Sequence, residues 1–247
     1  MLSLSSLTLT LRFQDAELPR WLGSAMRGGF GQHLRRIVCY RPMRECRSCE
    51  LAESCLYYEA YERPYAKRGH APPPRPIVLV PPFFGRKLTF RKDGKLEVGL
   101  LLFGQSVQKL PHVLLALQQF GSHGIGEGRY MGKNRFEVER ATCRFSNQIV
   151  FDRGVIHPNN IRIVDITEIA PVSGDHFQVN FRTPVELPLG FPPPPEHFLK
   201  LIRQRLVMVV NEYGAGEKIP DFTCRGSVRP VAKHHHRLVG YLSLIHI

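Results

Sequence analysis

A chain of 247 residues with 43% apolar content can bury a real core as one large or two ordinary domains, which excludes a disordered tail. It has no unbroken run of about 18 apolar residues and no basic start followed by an apolar block, so a soluble, cytoplasmic protein is expected. The net charge of +13 is lopsided, with 23 Lys/Arg against 12 Asp/Glu in residues 1–150 and 11 against 9 in residues 151–247, which points to a polyanion, nucleic acid first, over a membrane surface.

LSSLTLTLRF, residues 4–13, alternates with period two and predicts a half-buried strand. Pro19 is placed to open a helix through PRWLGSAMRGGFGQHLRRIVC, because its missing N–H costs nothing there. Gly28, Gly29 and Gly31 each cost that helix about 1 kcal/mol relative to alanine. Close approach of another backbone, protein or RNA, is expected to offset the loss.

The stretch VCYRPMRECRSCELAESCLYY follows. Cys39, Cys46, Cys49 and Cys55 form C-x6-C-x2-C-x5-C. In a reducing compartment clustered cysteines are more often metal ligands or buried thiols than disulfides. Structural zinc, built around the C-x2-C knuckle, is the first reading. A packed block without metal and an iron–sulfur cluster stay open behind it.

PIVLV, bracketed by prolines, predicts a strand, and Asp93-Gly94 between KLTFRK and KLEVGLLLFG predicts a hairpin. KLPHVLLALQQFGSHG predicts a helix from Pro111 to about Gly121, and RFEVERATCRF another strand. The order strand, helix, strand, strand, helix, strand is ferredoxin-like, an α+β arrangement also used by RNA-recognition modules. It defines a first domain over residues 1–145, with a Cys-rich insertion at 39–76.

A second domain, residues 146–247, restarts the pattern with NNIRIVDITEI, HFQVNFRTPVEL and a proline-started helix, FLKLIRQRLVMVVNEYG. The pattern runs out after HRLVGYLSLIHI, so this domain is expected to be incomplete. Between the second helix and the last strand of the first domain lies GSHGIGEGRYMGKNR, where Gly126 and Gly128 free backbone N–H groups to approach a phosphate beside Arg129, Lys133 and Arg135. A plain helix-to-strand connection is the competing reading.

WLGSAMRGGFGQHL resembles the first-helix motif G-x-x-[LM]-R-G-x-F-G-x-x-L of the Cas-six family of CRISPR repeat-processing endoribonucleases, within the RAMP superfamily. The match runs through Gly23, Met26, Arg27, Gly28, Phe30, Gly31 and Leu34. CLYYEAYE, LEVGLLLFGQS, GIGEGRYMGKNRFEVERA, VNFRTPVEL and FLKLIRQRLVMVVNEYG then follow in the order the resemblance requires. It implies two tandem ferredoxin-like domains and metal-independent cleavage of precursor repeat RNA. The ribose 2′-OH attacks the scissile phosphate and leaves 2′,3′-cyclic phosphate and 5′-OH ends. Such chemistry needs a base, an acid and cations around the phosphorane.

The family's C-terminal glycine-rich loop has no counterpart after residue 226, so the resemblance implies a chain cut short. It singles out His33 as the catalytic histidine, although helical spacing puts His33 in the apolar arc with Met26, Phe30 and Leu34, where a structural role is the plainer reading. His70, behind Lys67 and Arg68, is the rival, and Tyr40 is a candidate for assistance. His234, His235 and His236 read as a basic surface turn, because strand side chains alternate. Arg27, Arg35 and Arg36 join the glycine-segment cations as RNA-contact candidates. The expected partners are CRISPR repeat RNA and other effector subunits, with no cofactor for catalysis and zinc as the structural one. The alternative function is a non-catalytic RAMP subunit that holds CRISPR RNA.

Overall fold

The structure, a computed structural model, describes residues 2–65, 73–169 and 193–215. Alternation in β1 (Ser3–Phe13) buries Leu7, Leu9, Leu11 and Phe13 completely and leaves Thr8, Thr10 and Arg12 on the other face. A short β2 (Ala16–Leu18) follows. Pro19 closes that strand, and helix α1 (Gly23–Val38) starts four residues later than expected, behind the buried Leu22.

The chain continues through β3 (Ile77–Val80), β4 (Leu88–Phe90), β5 (Gly94–Phe103), α2 (Leu110–His123) and β6 (Phe136–Cys143). Four of these strands lie side by side in the order β3-β5-β1-β6, every neighbour antiparallel. With α1 and α2 packed into the same core as the inward residues of that sheet, this is the ferredoxin-like α+β fold the element order predicts. A bulge opposite Thr10/Leu11 inserts Glu139 and resets the phase of β6, so that Phe136 and Val138 before it and Ala141 and Cys143 after it all face inward.

The Asp93-Gly94 hairpin is different from expectation. The chain does turn there, with Asp93 at φ +64° and the Gly94 N–H donating to the Arg91 carbonyl at 3.1 Å. The two runs do not pair with each other, because β4 pairs with β2 in a separate two-stranded sheet. Packing decides this: Phe90 of β4 stacks on Phe13 at 5.3 Å and covers that end of the core.

Residues 149–165, assigned from the sequence to the second domain, belong to the first sheet. Strands β7 (Ile149–Asp152) and β8 (Val155–Ile156) extend it beyond β6, and β9 (Val164–Asp165) pairs with Ser3 and Leu4 of β1. The run NNIRIVDITEI is therefore no continuous strand. Asp165 caps a tight turn over Ile166–Glu168, with Thr167 N–H donating to its carboxylate at 3.0 Å and Glu168 reaching back to its N–H.

Helix α3 (Pro195–Tyr213) starts at its prolines as expected. Its end is tied to the first domain. Glu212, 1% exposed, is ion-paired with Arg63, the Tyr213 hydroxyl donates to the Pro74 carbonyl at 2.6 Å, and the Tyr213 ring stacks on Phe103. The segments HFQVNFRTPVEL and HRLVGYLSLIHI, together with His70, Cys224 and His234–His236, lie outside the described residues. No helix among the described residues is long and apolar enough to cross a membrane.

Candidate active site

Glycines in α1 set how closely the neighbouring elements approach. A Cβ on Gly29 would sit 2.0 Å from the Phe120 ring of α2, and one on Gly31 would sit 2.6 Å from Tyr61, whereas one on Gly28 would meet nothing within 4 Å. The approach that offsets the helix cost is thus to aromatic side chains, and not to a backbone. Two faces of α1 result, one against α2 and one against the Cys-rich insertion.

On the α2 face lies His33, 4% exposed. Its Nδ1 is 2.8 Å from the Gly29 carbonyl, and its ring is 4.7 Å from that of His123, the last residue of α2. A carbonyl only accepts, so Nδ1 carries the proton and the neutral ring has a bare Nε2. That atom is buried and has no hydrogen-bond partner among the described residues. Burial pushes the His33 pKa down, the charges of His123, Arg36 and Arg129 push the same way, and the bond to Gly29 opposes them.

His123 repeats this arrangement at the surface. Its Nδ1 is 2.9 Å from the Gln119 carbonyl, with Ser122 Oγ at 3.3 Å, and the residue is exposed. Sequence reasoning missed His123, although its place one residue before Gly124 at the helix end was a usable signal.

The glycine segment continues the chain directly from His123 at the end of α2. Gly124, Gly126 and Gly132 hold φ values of +92°, +65° and +71°, and a tight turn spans Glu127–Met131. Buried Asn134, itself at φ +59°, pins the segment: its side-chain amide donates to the Ile125 and Glu17 carbonyls and accepts from the Glu17 N–H. The glycines serve this turn and its packing, since a Cβ on Gly121 would strike the Phe136 carbonyl at 2.1 Å and one on Gly128 the Asn134 amide at 2.4 Å. Arg129 lies over the exposed Tyr130 ring at 4.7 Å and bonds its hydroxyl at 2.7 Å.

Of the arginines singled out in the sequence, Arg36 and Arg129 act on His33. Arg27 and Arg35 face the other way. Arg27 lies over Tyr61 and Arg35 over Tyr57, with the two tyrosines stacked between them at 5.3 Å. Burial, with Glu62 beside it, pushes the Tyr57 pKa up to about 12, so Tyr57 remains a hydrogen-bond donor to Glu62 at 3.1 Å and takes no part as a base. Lys133 and Arg135 stay near the glycine segment, which Lys133 joins through its N–H to the Gly128 carbonyl.

Tyr40 is 83% exposed beyond the end of α1 and lines a pocket of about 240 Å³ with Cys39, Cys49, Cys55, Lys109 and His112. His112 stands eleven residues before His123, or about 16 Å along a helix. The structure therefore does not bring Tyr40 to the histidine pair. Cys46 adjoins this pocket, near enough to feel the charges of Arg35, Cys39 and Cys55. All four thiols are free and half-buried, and no group of three or more His, Cys, Asp or Glu side chains among the described residues is arranged to hold a metal ion. Thiolates are donors of the kind zinc takes, and three of the four, Cys39, Cys49 and Cys55, line this pocket.

Among the described residues, the outer face of the sheet offers no aromatic platform in its middle. Thr8, Thr10, Arg12 and Lys95 lie there, with Arg12 paired to Glu137 and Asp93, and Lys95 to Glu139 at 2.9 Å. At the junction of α1, α2 and the glycine segment lie instead an exposed imidazole, His123, and two guanidiniums, Arg36 and Arg129, groups of the kind that can bind a phosphate.

Family models for an N-terminal domain, AF_1859_N, and a C-terminal domain, AF_1859_C, match residues 2–162 and 177–241. An uncharacterized protein of Archaeoglobus fulgidus is 32% identical over 240 residues, which cover 96% of this chain and 79% of the relative.

Proposed function

For a chain that belongs to the family with the AF_1859_N and AF_1859_C domains, we propose maturation of CRISPR RNA by metal-independent cleavage of the precursor repeat. The observation that carries this reading is the histidine pair with Arg36 and Arg129 around it. Imidazoles supply proton transfer near neutral pH, and guanidiniums supply charge and hydrogen-bond donors for the phosphorane. The ordered motifs from Gly23 to Leu34 and through the glycine segment support it, as does the basic first domain. In this reading the cysteine cap is a zinc-held clamp that stiffens the insertion beside α1 and takes no part in the chemistry.

The burial of His33 favours a second reading, in which the chain binds CRISPR RNA within an effector complex and does not cut it. One experiment separates them: incubation in EDTA with end-labelled repeat RNA and with a copy that is 2′-deoxy at the cleavage site. Cleavage of the first alone, with a cyclic phosphate end, is the expected result. Tight binding of both without cleavage would leave the RNA-holding subunit.

A further inference from the structure

We propose that His123, and not His33, is the side chain that exchanges a proton with the RNA. The inference rests on the cleavage reading above and names the group that performs it. Both rings are fixed in the same tautomer by a carbonyl four residues earlier, so both present an unprotonated Nε2 when neutral. Access separates them. His33 Nε2 is walled in between Phe120, at 5.7 Å between centroids, and the His123 ring, and a base must come within hydrogen-bond reach of the proton it takes. His123 is exposed at the end of α2, where the glycine segment begins.

The surroundings suit that task. Arg36 of α1 and Arg129 of the glycine segment lie near enough for their charges to act on His33, and Ser122 Oγ is 3.3 Å from His123 Nδ1. Both arginines are cations that can receive phosphate oxygens.

The step balances as follows. His123 Nε2 takes the 2′-OH proton while O2′ bonds to phosphorus. The P–O5′ bond breaks with its electron pair going to O5′, which takes a proton from water. The imidazolium then returns its proton to the hydroxide so formed, leaving cyclic phosphate, a 5′-OH and the original ring.

The test compares His123→Ala and His33→Ala on repeat RNA in EDTA, each with and without added imidazole. His123→Ala should lower the single-turnover rate at least about 100-fold and leave RNA affinity nearly unchanged, and free imidazole should restore part of the rate. Whatever rate His33→Ala loses, imidazole should not restore, because a packing defect has no proton to supply. Wild-type cleavage by His123→Ala, or rescue of His33→Ala alone, would overturn the proposal while leaving the nuclease reading intact. A wild-type chain that binds and never cuts would overturn both. If His33→Ala does not fold, rescue or its absence in His123→Ala decides alone.

Discussion

A neutral imidazole held against Phe120 costs little at pH 8 and becomes a liability in acid. In the unfolded chain His33 takes up its proton near pH 6.5, whereas in the folded protein burial, aided by His123, Arg36 and Arg129, holds its pKa lower. As pH falls below about 6.5 the unfolded state binds the extra proton first, so stability drops through that window and levels off only below the folded pKa. Thermal unfolding from pH 8 to 5 should show the drop. His33→Asn keeps a donor for the Gly29 carbonyl and loses the ring that titrates, so its profile should be flatter. Equal slopes in the two proteins would show that the His33 proton is not coupled to folding.

At the scale of the element, α1 places Gly28 and Gly29 under opposite constraints. Gly28→Ala should stabilise the protein by about 1 kcal/mol, since the new methyl meets open space and the helix gains propensity. Gly29→Ala should destabilise it by about 1–3 kcal/mol through overpacking, because Phe120 is itself wedged against Phe136 and His33 and has little room to yield. Urea midpoints of the two variants should move in opposite directions; movement in the same direction would mean that α1 and α2 are not packed as described.

The cysteine cap, on the opposite face, makes a separate prediction. Elemental analysis of the purified chain should find about one zinc, lost on Cys46→Ser and Cys49→Ser, by the four-thiolate stoichiometry of structural sites. A metal-free chain that melts no differently after the same substitutions would leave the Arg27–Tyr61–Tyr57–Arg35 stack as what holds the cap.

Across the whole molecule, what the sequence made legible follows from local pattern. Period-two alternation in Leu7, Leu9, Leu11 and Phe13 and the apolar stripe of α2 were readable because burial on one face leaves a periodic trace. The pairing of β2 with β4 was not, because residues 16–18 and 88–90 are too short to carry a pattern and are joined by Phe13 packing on Phe90 across the chain. His33 and the glycine segment were each visible, and His123 stands inside the quoted GSHGIGEGRYMGKNR, but its nearness to His33 comes only from the packing of α1 on α2. Asn134 left a faint signal, since asparagine is among the few residues that accept positive φ, and its hydrogen bonds to Glu17 are long-range and unreadable from spacing.

The bonds from Glu212 to Arg63 and from Tyr213 to Pro74 join positions separated by 149 and 139 residues. On a ribosome adding roughly 5–20 residues per second, Arg63 waits on the order of 10 to 30 seconds for its carboxylate. During that interval the sheet and both of its helices can form, but the underside of Phe103 stays bare and the buried guanidinium stays hydrated. The nascent first domain therefore lacks these contacts until the third helix emerges, and a premature stop codon before position 212 would make that loss permanent.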